Sequence, residues 1–79
     1  MLSDYINAAM RHARYEILDD GTYYGEIPGL QGVYANESTL ETTRTELQGA
    51  LEDWLLFRLV NGFLIPPIDD IVLTTTKVA

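Results

Sequence analysis

The sequence predicts an α+β fold, a small antiparallel or mixed sheet packed on one long helix with a further helix at the N-terminus. Three observations carry that expectation. Residues 40–61 place apolar side chains at helical spacing between a helix-start signal and a glycine stop. Residues 14–27 turn toward a period of two around Asp19-Asp20-Gly21, the pattern of a β-hairpin. Hydrophobic residues make up 47% of the chain against 22% charged, enough apolar surface to offset the entropy of ordering. At 79 residues there is room for one domain, residues 1–79, which divides into an N-terminal helix over 1–13, a core over 14–67 and a C-terminal strand and tail over 68–79.

Ser3 is placed to cap the first helix, whose apolar positions Leu2, Ile6, Ala9, Met10 and Ala13 recur at spacings of three and four. The hairpin that follows has two candidate registers. A two-residue Asp20-Gly21 loop would put Tyr15 and Ile17 on the face of Tyr24 and Glu26, mixing core with solvent. A three-residue Asp19-Asp20-Gly21 loop, with Gly21 left-handed in a bulge, pairs Ile17 with Tyr23 and Tyr15 with Gly25, so that these four share one face with Ile27. The second register is therefore expected, placing Tyr15, Ile17, Tyr23 and Gly25 under the long helix, with Gly25 leaving a gap over which a helix or a ring can approach closely.

Pro28, Gly29 and Gly32 end the hairpin in a loop, and residues 33–36 read as a third strand with Val33 and Ala35 facing the core. Ser38-Thr39-Leu40-Glu41 fits a capping box, the Ser38 oxygen accepting from the Glu41 amide and the Glu41 carboxylate returning to the cap. The helix then runs to Asn61, with Gly62 as its left-handed stop. Leu40, Thr43, Leu47, Ala50, Leu51, Trp54 and Arg58 trace one stripe, while Leu55, Leu56, Phe57, Leu59 and Val60 make the second half apolar almost all round. One sheet face cannot cover that much surface. Either the N-terminal helix or a second subunit is expected there, and Leu56, Phe57, Val60 and Phe63 are the candidate oligomer interface. Residues 63–65 read as an extended strand ended by Pro66-Pro67, and residues 71–76 as one more β-rich segment.

Composition limits the function classes. Acidic residues outnumber basic ones 12 to 5, a net charge of −7 that repels phosphate backbones and anionic lipid. Autonomous nucleic-acid binding is not expected, and a basic protein partner is. The N-terminus lacks the basic and apolar regions of a secretory signal and no stretch reaches 18 apolar residues, so the expectation is a cytoplasmic protein with no membrane contact. Cysteine is absent, which removes disulfides and thiolate zinc sites and leaves subunit contacts to support a small core.

No catalytic set assembles. His12 is the single histidine, so no metal site of the usual nitrogen and sulfur ligands can form within one chain, and no cofactor is expected. A Mg²⁺-dependent nuclease would need several converging carboxylates. Candidates are Glu16 on the first strand, Asp19 and Asp20 in the turn, and Glu41, Glu46, Glu52 and Asp53 on the helix. The expected register points Glu16 away from the helix, and solvated faces, capping and turn preference account for the rest. There is no G-x-S-x-G elbow and no phosphate-cradling glycine pattern. Tyr15, Tyr23, Tyr24 and Tyr34 on a sheet could be a base-stacking platform, but with Arg14 as the only cation of that sheet they read as core and interface residues.

The run Tyr23-Tyr24-Gly25-Glu26-Ile27-Pro28-Gly29-Leu30-Gln31-Gly32 resembles the signature of the HicB-like antitoxin family, an aromatic strand ending in I-P-x-L-x-G. Thr39 and Glu41 match the family's polar helix start, and Ile65-Pro66 its Ile-Pro element after the long helix. The motif residues carried over are Tyr23, Ile27, Pro28, Leu30, Gly32, Thr39 and Glu41. Val33 stands where the family often has cysteine, Glu37 where it often has glycine, and Pro66-Pro67 replaces a spaced proline pair. The resemblance implies a partial RNase H-like β-β-β-α-β fold without nuclease carboxylates, assembly as a homodimer or homotetramer, and neutralisation of a small basic, mRNA-cleaving toxin of the HicA type. Members usually add a C-terminal DNA-binding module, and the 12 residues after Pro67, with Lys77 their one cation, are expected to be too few for it.

The reading is thus a non-enzymatic protein-binding module. A structural or accessory homo-oligomer without a toxin partner is the alternative, and a divergent nuclease dependent on Glu16 or Asp20 is the third.

Overall fold

The computed structural model describes residues 2–73. Five elements follow one another as α1 (Leu2–Arg11), β1 (Arg14–Ile17), β2 (Tyr23–Glu26), β3 (Tyr34–Glu37) and α2 (Leu40–Asn61). The strands form one antiparallel sheet in the order β1-β2-β3, so the α+β class holds and the sheet is not mixed.

The hairpin adopts the three-residue loop. Ile17 pairs with Tyr23, Glu16 with Tyr24, Tyr15 with Gly25 and Arg14 with Glu26. The turn closes through Gly21 N donating to Leu18 O at 2.9 Å and Leu18 N donating to Thr22 O at 2.8 Å, with Gly21 at φ 84°. Only a residue without Cβ adopts that left-handed conformation cheaply, which is why the glycine follows the two aspartates. Asp20 adds an Asx-type turn, its Oδ1 accepting from Thr22 N at 2.9 Å and Thr22 Oγ1 at 2.6 Å. These bonds to the carboxylate hold the Asp20 carboxyl below the usual range.

Two turns link β2 to β3. Leu30 N donates to Ile27 O and Val33 N to Leu30 O. Pro28 and Gly29 occupy the two central positions of the first turn, Gly29 at φ 88°, the residue pattern of a type II turn. The consequence is that Ile27, Leu30 and Val33, three apart, all enter the core. β3 starts one residue later than expected, at Tyr34, while Val33 and Ala35 are buried as expected.

Helix α2 is capped by Thr39, not Ser38. Thr39 is extended (φ −130°, ψ 157°) and its side chain accepts from Thr42 N at 3.0 Å, while Ser38 is exposed and Glu41 makes no return bond to it. Both Ser38 and Thr39 are good cap residues; with Thr39 at the cap, Thr43 Oγ1 donates back to Thr39 O at 2.8 Å and across to Tyr23 O at 3.0 Å, and the helix buries Thr43, Leu47, Leu51 and Leu55. At the other end Gly62 is left-handed at φ 69°, with Phe63 N bonding back to Arg58 O and Gly62 N to Leu59 O, a Schellman stop.

Leu47, Leu51 and Leu55 of α2 meet Tyr5, Ala9 and Met10 of α1, Ile27, Leu30, Val33 and Ala35 of the sheet and its loop, and Ile65 beyond α2. Helix α1 therefore covers the side of α2 that the sheet does not. It begins at Leu2, so Ser3 lies inside its first turn rather than at its cap. It ends at Arg11, short of residue 13, where His12 and Ala13 tighten into bonds three residues back. The buried face is Tyr5, Ala8, Ala9 and Met10; Leu2 is left exposed because Tyr5, whose hydroxyl donates to Pro66 O at 2.6 Å, sets the rotation of the helix.

Two further expectations are corrected. Residues 63–65 form no strand; Phe63 and Leu64 are exposed and only Ile65 enters the core. The β-β-β-α-β order is not completed among the described residues, since Ile71 forms only an isolated bridge to Ile68 around Asp69 and Asp70, both at positive φ. Residues 74–76 of the expected last strand lie outside the described residues. Secondly, α2 crosses β3 and β2 and leaves β1 uncovered. Ile17 shares the inner face but is 66% exposed, so the helix does not shelter the whole Tyr15, Ile17, Tyr23, Gly25 set.

Candidate interaction surfaces

Three surfaces gather side chains capable of contact, and the first is the end of α2. Leu56, Phe57 and Val60 project from the helix away from the core at 61%, 59% and 69% exposure. The Schellman stop folds Phe63 back so that its ring meets that of Phe57 edge to face, 5.6 Å between centroids. Arg58 locks the exit: its guanidinium lies 4.5 Å over the Trp54 ring and donates to Leu64 O at 2.8 Å. The four sequence-predicted interface residues thus form one ridge. Leu64, next to Phe63 in sequence, is exposed as well, which an expected strand over 63–65 gave no sign of.

The motif residues are mainly architectural. Ile27 and Leu30 are core, Pro28 and Gly32 shape the two turns, Thr39 caps α2 and Tyr23 is half-buried on the inner face. Tyr23 O accepts from Thr43 Oγ1 at 3.0 Å and from Asn36 Nδ2 at 2.9 Å, joining β2 to α2 and β3. Glu41 is exposed in the first turn of α2, where a carboxylate favours the helix dipole.

The second surface is the outer face of the sheet, which no element among the described residues covers. The Tyr24 and Tyr34 rings stack at 6.3 Å and 24° there, and Tyr24 Oη donates to Glu26 Oε1 at 3.0 Å. A groove of about 430 Å³ runs between this pair and the turns at 27–33. Desolvation, then the bond to Glu26 and the charges of Glu26 and Glu16, push the Tyr24 phenol up from its ordinary value. Alternation along β2 and β3 puts Tyr24 and Tyr34 on one face, but their stacking depends on the register that pairs Tyr24 with Asn36 and Glu26 with Tyr34.

The third lies where α1 ends. His12 Nε2 stands 2.8 Å from Asp69 Oδ1 and Arg11 3.8 Å from Asp69 Oδ2, so the turn after Pro67 is tied to α1. Among the described residues no three of His, Cys, Asp or Glu gather as a metal set. Glu16 lies on the outer sheet face, across the sheet from the α2 carboxylates, and Asp20 is held by Thr22. No helix among the described residues is long and apolar enough to cross a membrane.

These features define a small α+β domain with a three-stranded antiparallel sheet clamped on a 22-residue helix and contact surfaces at its margins. Residues 4–66 match the family described as UPF0150-like, and the chain belongs to that family. It is similar to the crystal structure of TTHA0281 from Thermus thermophilus, with 46% identity and a TM-score of 0.86 over 91% of this chain and 90% of that one. No curated protein matches.

Proposed function

We propose that this chain is a non-catalytic protein-binding module of the HicB-like antitoxin kind, with the partial RNase H-like fold of that family, that acts in the cytoplasm, assembles as a homodimer or homotetramer and neutralises a small basic, mRNA-cleaving toxin. The observation that carries the reading is the ridge of Leu56, Phe57, Val60 and Phe63. Side chains of this size left in water at the end of a well-packed helix are the mark of an association surface. The family match spans the stretch that holds the I-P-x-L-x-G residues, and the charge of −7 suits a cationic partner.

The ridge by itself also fits an accessory homo-oligomer with no toxin. Solution mass and co-purification separate the two. The wild-type chain should run as a dimer or tetramer, and Phe57→Asp with Leu56→Glu should lower the mass to that of one chain while leaving it folded, since neither residue is in the core. Co-expressed with a small basic protein encoded beside it, the wild type should co-purify and relieve growth arrest. A monomeric wild type would remove the assembly, and an unrelieved, unbound toxin would remove the antitoxin role.

A further inference from the structure

We propose that the outer sheet face holds an arginine side chain of a basic protein partner, the guanidinium lying against the Tyr34 ring and the Glu26 carboxylate at the mouth of the groove beside residues 27–33. The inference rests on the reading of this chain as a binder of a basic protein and names a surface and a contact for it.

The outer face is a mixed aromatic and acidic surface. Tyr34 is 59% exposed although it stacks on Tyr24, so ring surface stays open to a ligand. Glu26 uses Oε1 for Tyr24 and takes part in no ion pair among the described residues, although Arg14 is its cross-strand partner. Glu16 adds a second carboxylate on the same face, two register positions away and directly across from Tyr24. A flat cation that stacks on a ring and gives paired N–H groups to a carboxylate satisfies both features at once, which guanidinium does and ammonium does not. The groove of about 430 Å³ beside them has room for the aliphatic stem of such a side chain. A nucleic acid would find the same rings, but two carboxylates would stand against its phosphates with only Arg14 to offset them.

The test is a titration of the full-length, ¹⁵N-labelled chain with the capped tripeptide Gly-Arg-Gly and with its citrulline counterpart, which keeps the shape and loses the charge. Amide shifts confined to Tyr24, Glu26, Ile27, residues 29–33 and Tyr34 with the arginine peptide, and absent with citrulline, are expected. Tyr34→Ala and Glu26→Gln, both at exposed positions, should each weaken binding about two- to fivefold. Equal shifts with citrulline, or shifts spread equally to Glu46, Glu52 and Asp53, would overturn the proposal, as would a uridine oligonucleotide moving the same residues more strongly. The two readings can fail apart. A toxin that co-purifies undiminished with Tyr34→Ala and Glu26→Gln removes this surface and leaves the antitoxin reading, whereas localised arginine binding without toxin recovery supports the surface alone.

Discussion

Tyr15 and Gly25 face each other across β1 and β2, and the tyrosine ring occupies the space where a Gly25 side chain would stand. A Cβ built on Gly25 would lie 2.9 Å from both Cδ1 and Cε1 of Tyr15, and 3.1 Å from Thr43 Cγ2 of α2. The missing side chain therefore brings an edge strand's ring and the helix onto the sheet at one point. Gly25→Ala should destabilise the fold by about 1–3 kcal/mol through overpacking, measured by urea denaturation. In a Tyr15→Ala background the same change should cost clearly less, because only the Thr43 contact remains. An equal cost in both backgrounds would show that the ring is not what the new methyl meets.

That register was legible because two local signals agree: a three-residue loop ending in glycine, and an alternation that makes sense only with Tyr15 and Ile17 on the face of Tyr23 and Gly25. How far the helix covers that face was not legible. Exposure of Ile17 depends on where α2 crosses the sheet, which is set by Thr43 and by α1 packing on the other side, not by anything within β1.

Helix α2 is capped one residue later than its capping-box pattern predicts, and the difference can be measured. Thr39→Ala removes the oxygen that accepts from Thr42 N and should cost about 1 kcal/mol, within the range for lost N-caps. Ser38→Ala should change stability by less than about 0.5 kcal/mol, as for an exposed residue with no capping bond. A larger loss at Ser38 than at Thr39, by thermal or urea unfolding, would return the cap to the earlier position.

The interaction surfaces were legible to different degrees for a physical reason. The ridge at Leu56, Phe57 and Val60 announces itself, because a helix apolar on every side must meet something besides one sheet. The Tyr24 and Tyr34 pair does not, because it needs the relative register of two strands joined by a loop whose turns are set by Pro28, Gly29 and Gly32. The tie between His12 and Asp69 spans 57 positions and no sequence pattern marks it.

Tyr5 gives the fold an alkaline limit. Its side chain is buried between α1 and the segment after α2, the hydroxyl donates to Pro66 O, and burial raises the phenol above its ordinary 10.0. In the unfolded chain the same phenol ionises first, so above pH 10 the unfolded state holds fewer protons than the folded one and stability falls as pH rises. Tyr5→Phe should cost about 1 kcal/mol at neutral pH by leaving the Pro66 carbonyl without this donor. It should also remove the Tyr5 share of the alkaline loss. The stability gap between wild type and Tyr5→Phe should therefore stay constant through neutral pH and narrow once the unfolded phenol ionises. Urea unfolding of both proteins from neutral pH into that alkaline range measures the gap, and one that widens there would mean that Tyr5 ionises more easily in the fold than out of it.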